Sequence, residues 1–122
     1  MGEKEKIIFA DDFIEVTPDG FQSLFNRIEE AGHEIVGISV NVEGVRKVTQ
    51  DLKDKEITPT LAILDGNMPL KGDGAKAAEI VRKEFPEIKV VAYSSQPQTF
   101  GDKCWSKSNS FENIVTFISD NI

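Results

Sequence analysis

Thr60-Leu61-Ala62-Ile63-Leu64-Asp65-Gly66-Asn67-Met68-Pro69 is the stretch whose reading decides the fold. Its unbroken apolar run suits a strand buried on both faces, as in a parallel sheet. Gly66, Pro69, Gly72 and Gly74 then stop it abruptly. Asp65 is thereby predicted at the carboxyl end of a strand, the edge at which open α/β sheets bind ligands. A carboxylate there is placed for chemistry or metal binding rather than for solubility.

The same pattern recurs upstream, where the apolar run Lys6 to Ala10 ends in Asp11 and Asp12. Paired acids more often cap a helix than form a site. Their place after a buried strand, matching that of Asp65, favours the site. Between the two runs, Phe21, Leu24, Phe25 and Ile28 recur at helical spacing, with Thr17 as a cap, Pro18 in the first turn and Gly32 as the stop. Ile35 to Val40 is mostly β-branched and reads as a second strand. Asn41 can cap a second helix whose inner face carries Val42, Val45, Val48 and Leu52, with Asp51, Lys53, Asp54 and Lys55 solvated at its end.

Downstream, Ala75, Ala78, Ile80, Val81 and Phe85 give a third helix that Pro86 ends, and Ile88 to Tyr93 is the fourth strand. Gln96, Pro97, Gln98, Gly101 and Asp102 mark loop, with a short fifth strand over Lys103 to Ser106. Asn109 and Glu112 form a capping box, and Phe111, Ile114, Val115 and Ile118 form the core face of a last helix. Alternating strands and helices predict a five-stranded doubly wound α/β domain with a parallel sheet, occupying residues 1–122 as a single unit.

Composition narrows the function. The 122 residues are 39% hydrophobic and 29% charged, which fits a globular domain. No apolar stretch approaches the ~20 residues that span a bilayer, and Met1 to Lys6 is charged, so the expectation is a cytoplasmic protein with no membrane partner. A formal net charge of −7 argues against direct nucleic-acid binding and favours a protein partner with a basic face. Cys104 is the single cysteine, which excludes an internal disulfide and a cysteine-rich zinc site; packing is its expected role. His33 reads as a turn residue and Trp105 as core.

Neighbouring strands of such a sheet end along one edge, so Asp11 and Asp12 are expected beside Asp65. Carboxylates that close repel, and a hard divalent cation such as Mg²⁺ relieves the repulsion. Ser94 at the end of the fourth strand adds a hydroxyl, and Lys107 after the fifth adds an ammonium. The set suits phosphoryl transfer: Asp65 as nucleophile, metal and Lys107 neutralising the equatorial oxygens, Ser94 donating a hydrogen bond.

With these residues in order, the sequence resembles the receiver domain of two-component response regulators. The matching residues are Asp11-Asp12, Asp65-Gly66-Asn67-Met68-Pro69 with Asp73-Gly74, Ser94 after Val90-Val91-Ala92-Tyr93, and Lys107 after Trp105-Ser106. The resemblance implies a flavodoxin-like receiver fold and a stand-alone, chemotaxis-regulator-like switch. It implies phosphorylation of Asp65 by a histidine kinase or phosphotransfer protein, and signalling to a downstream protein target. It further implies Mg²⁺ bound by Asp12, Asp65 and the main-chain carbonyl of Asn67, with Asp11 acting through water and Ser94 and Lys107 touching the phosphoryl group. Such a domain is not an enzyme beyond its own phosphotransfer and dephosphorylation.

The sequence departs from the family around Val16 to Gly20, where residues are added, and at Ser108, where Pro usually follows Lys. Only residues 95–106 separate Ser94 from Lys107, too few for a helix and a strand, so a fourth helix is expected to be absent or a single turn. Cys104 takes the place of the family's switch aromatic, and Trp105, one position later, falls on the opposite strand face. Two rival readings are a degenerate interaction module that works without phosphorylation and, less favoured, an independent metal-dependent phosphatase.

Overall fold

Side-chain alternation along buried strands sends every second residue to each face of a sheet, and here both faces are apolar. In β1 (Lys6–Ala10), Ile7 and Phe9 join one core cluster while Ile8 and Ala10 join the other. The structure is a computed structural model and describes residues 4–66, 68, 70, 72–94, 98–106 and 114–118. After β1 come a 3-10 turn (Asp12–Ile14), α1 (Pro18–Glu30), β2 (Glu34–Ser39), α2 (Val42–Asp54) and β3 (Leu61–Leu64). The order continues with α3 (Asp73–Glu84), β4 (Lys89–Ser94) and β5 (Lys103–Ser106), and residues 114–118 are helical again.

The five strands form one parallel sheet in the order β2-β1-β3-β4-β5. The expected doubly wound α/β sheet is therefore present. One core lies under α1 and the last helical segment, where Phe9 packs edge-on against Phe25 with ring centroids 5.2 Å apart. The other lies under α2 and α3 and is built on Ile8, Leu64, Val81 and Val90. Two apolar faces need helices on both sides, and that layering leaves the strand ends as the open rim.

Several local expectations are met by these elements. Asn41 caps α2, its side chain accepting from the Gly44 N–H at 2.7 Å. β5 spans Lys103–Ser106, Trp105 is buried, and its ring lies 5.4 Å from that of Phe117. Others are corrected. Thr17 precedes α1 but its side chain makes no capping bond, its backbone at φ −135° and ψ 67° lying outside the extended conformation usual for a capping residue. On α2, Val48 packs against the core as expected, and Thr49 beside it is buried as well, satisfying its hydroxyl by donating to the Val45 carbonyl at 2.7 Å. His33 is buried, and its Nδ1 accepts the Glu5 N–H at 3.0 Å, tying the chain ahead of β1 to the turn before β2. Cys104 is exposed rather than packed, since Trp105 beside it takes the face that the last helix covers.

Among the described residues no helix stands between β4 and β5. Residues 98–102 run as a strap fixed to α3 and to the edge of β4. Arg82 Nη1 donates to the Phe100 carbonyl at 2.7 Å, and Arg82 Nη2 lies 3.5 Å from Asp102 Oδ1. Asp102 Oδ2 accepts the Val90 N–H at 2.9 Å while the Asp102 N–H donates to the Val90 carbonyl at 2.7 Å. Phe100 packs against the α2/α3 core, so the strap supplies part of the cover that a helix would give. The capping box at Asn109 and Glu112, and Phe111, lie outside the described residues.

Candidate functional site

Strand register builds the site. Ala10 pairs with Leu64, so Asp11 and Asp65 leave the sheet side by side. The Asp65 N–H donates to the Ala10 carbonyl at 2.9 Å and the Asp11 N–H to the Ser39 carbonyl at 3.0 Å, extending the ladder to its last rung. Asp11 then caps the 3-10 turn, Oδ1 accepting the Phe13 N–H at 2.9 Å, and the turn brings Asp12 back over the strand ends. Asp11 and Asp65 are buried and Asp12 is half-buried. One carboxylate oxygen from each of Asp11, Asp12 and Asp65 lies within 4.8 Å of the others.

The start of α3 closes one side. The Gly74 N–H donates to the Gly66 carbonyl at 3.0 Å. A Cβ at Gly74 would stand 2.4 Å from the Asp65 carbonyl oxygen, so only glycine lets the helix begin against the backbone of the acid. Asp73, also buried, accepts the Leu70 N–H at 3.0 Å through Oδ2 and fixes the loop that follows β3.

On the other side, Leu64 pairs with Ala92, which puts Tyr93 level with Asp65 and Ser94 one residue further along the same edge. Ser94 is buried, and its Oγ accepts from Gln98 Nε2 at 3.4 Å. Burial pushes the Tyr93 hydroxyl pKa up to about 12, with the charges of Asp11 and Asp65 adding to the shift.

Of the six residues expected at the site, Asp11, Asp12 and Asp65 meet, and Ser94 reaches the same rim. Asn67 and Lys107 lie outside the described residues. Asp73 and Tyr93 entered the sequence analysis only as parts of the matching motifs and Gln98 only as a loop residue, none with a role at the site. Asp73 carried a signal, an acid at the start of a helix with a loop amide three residues back. Tyr93 and Gln98 carried none, because their roles depend on cross-strand register and on the path of a loop.

Three converging carboxylates with only oxygen donors fit a hard divalent cation, whose charge would offset their repulsion. Asp11 and Asp65 are held by backbone bonds at the strand ends, so the donors are set in place by the sheet itself.

No protein-family model matches the sequence, and no curated protein matches it. Solved structures do. A CheY-like response regulator receiver domain protein from Methanospirillum hungatei JF-1 matches with a TM-score of 0.70 at 17% identity, over 95% of this chain and 91% of that one. A DNA-binding response regulator of the LuxR family from Staphylococcus aureus matches with a TM-score of 0.67 at 22% identity, over 93% of this chain and 95% of that one. A response regulator protein from Burkholderia pseudomallei, solved with a phosphorylated aspartic acid, calcium ion and citrate, matches with a TM-score of 0.71 at 12% identity, over 97% of this chain and 68% of that one. The chain has the fold of response regulator receiver domains, with a strap rather than a helix among the described residues between β4 and β5.

Proposed function

We propose that residues 1–122 form a single receiver-like phosphoacceptor domain of a two-component phosphorelay. It takes a phosphoryl group onto Asp65 from a histidine kinase or phosphotransfer protein and signals by protein contact. The observation that carries this reading is the convergence of Asp11, Asp12 and Asp65 at adjacent strand ends, with Ser94 buried on the same rim. The Burkholderia protein of the same fold, with its phosphorylated aspartic acid and calcium ion, supports it.

In the transfer, an Asp65 carboxylate oxygen forms a bond to phosphorus while the phosphorus–nitrogen bond of the donor phosphohistidine breaks. The electron pair leaves with the imidazole. Asp11, Asp12 and Asp65, with the Asn67 carbonyl, are the residues to hold Mg²⁺, which when bound supplies positive charge to the phosphoryl oxygens. Ser94 donates a hydrogen bond to one of those oxygens, and Lys107 adds its ammonium. Water later attacks the phosphorus, the bond to the Asp65 oxygen breaks, inorganic phosphate leaves and the carboxylate is restored, so the domain acts on its own phosphoryl group and is not an enzyme towards a separate substrate. Phe13, Val16 and Leu70 are exposed apolar side chains on the two loops that carry the acids, a contact surface suited to a protein donor. A kinase donor places the protein in the cytoplasm; no helix among the described residues is long and apolar enough to cross a membrane.

The rival reading, an interaction module independent of phosphorylation, draws on the strap: its bonds to Arg82 and Val90 tie down the region that would have to move. Incubation with acetyl phosphate and Mg²⁺, read by intact mass, separates the two. Wild type gains one phosphoryl group and Asp65→Asn gains none. An unmodified wild type means that the interaction module is the function.

A further inference from the structure

The phosphoacceptor reading leaves Gln98 unused, yet the strap sets this side chain against the acidic site. A Cβ at Gly66 would stand 2.7 Å from both Cδ and Nε2 of Gln98 and 3.1 Å from its Cγ. The carboxamide is thus seated on the bare α-carbon of the residue that follows Asp65. From that seat Nε2 reaches Ser94 Oγ at 3.4 Å. Gln98 is half-buried, and the strap behind it is anchored by Phe100 in the core and by Arg82 on the Phe100 carbonyl.

A serine hydroxyl has one hydrogen to give and two lone pairs to receive with. When Gln98 donates into one lone pair, the hydroxyl hydrogen is directed elsewhere, and a hydroxyl that accepts a bond becomes a stronger donor. The last β3–β4 pair is Leu64 with Ala92, which leaves Ser94 two residues beyond Ala92 and Asp65 one beyond Leu64 at the same rim, so the Ser94 hydrogen is needed on the Asp65 side.

We propose that Gln98 is a positioning residue: seated on Gly66, it holds the Ser94 hydroxyl ready to donate to a phosphoryl group on Asp65, and so sets the speed of phosphoryl uptake and loss. This rests on the phosphoacceptor reading. Both steps pass through a transition state whose charge is spread over the same phosphoryl oxygens, so a misdirected Ser94 slows both. The phosphorylated fraction at steady state then changes little while both rates fall together.

The test is Gln98→Met, which keeps the bulk over Gly66 and removes the donor. With acetyl phosphate and Mg²⁺, uptake and hydrolysis both slow about fivefold, the worth of one neutral hydrogen bond. Gly66→Ala pushes the carboxamide off its seat at little cost to the fold, since the clash is with the end of a flexible side chain. It gives the same slowing, and the double variant is no slower than either single one. Independently of activity, the Gln98 side-chain amide NMR signals shift in Ser94→Ala. Gln98→Met with wild-type uptake and hydrolysis overturns the inference alone. A wild type that takes up no phosphoryl group overturns the phosphoacceptor reading, and this inference with it.

Discussion

Asp65 has its reach from being the first residue beyond a strand that is buried on both faces, and the neighbouring strand supplies Asp11 by the same construction. Both acids could be read in the sequence, because an apolar run broken by an acid fixes where the acid falls. Tyr93 could not, since its level position with Asp65 comes from the pairing of Leu64 with Ala92. Its raised pKa has a measurable consequence. The fold favours the neutral phenol, so the contribution is complete below the ordinary tyrosine value of 10.0 and is lost as pH rises through about 12. Relative to Tyr93→Phe, wild type is expected to lose about 1 kcal/mol of stability between about pH 9 and about pH 11, measured by urea unfolding. An unchanged difference between the two proteins would mean that the phenol titrates normally.

At the scale of elements, the strap separates this chain from the ordinary receiver plan. Its existence was legible from spacing alone, because residues 95–106 have no room for both a helix and a strand. Its fastening was not, since nothing in the sequence singles out Arg82, placed in the last turn of α3, as the partner of Phe100 and Asp102. Cys104 was misread for a related reason: packing was expected of it, but among the described residues no helix covers its face of β5. Removing the fastening with Arg82→Ala leaves the Phe100 carbonyl without its charged donor. The expected cost is about 1–3 kcal/mol, read as a lower urea midpoint at unchanged slope. A midpoint equal to that of wild type would show that Phe100 and the Asp102–Val90 bonds hold the strap without Arg82.

For the whole molecule, the fold was legible because each local signal agreed with the next: buried strand runs, helical faces and stops, all consistent with one parallel sheet. The cost of the design lies at the rim, where three carboxylates are gathered in a chain of net charge −7. A cation bound by the folded state alone stabilises it, by about 2.7 kcal/mol at a hundred times its dissociation constant. Millimolar Mg²⁺ is therefore expected to raise Tm by several degrees. Asp65→Asn is expected to melt higher than wild type without Mg²⁺ and to respond less to its addition. Equal melting temperatures across that series would remove the metal from the site.

In the proposed function the phosphoryl group resides on Asp65 itself. After reaction with acetyl phosphate and Mg²⁺, borohydride converts an aspartyl phosphate to homoserine, and peptide mass spectrometry locates the change. Homoserine at position 65 in wild type, absent when the phosphodonor is left out, is the result predicted. A phosphoryl group that resists borohydride, or homoserine at another aspartate, would contradict it.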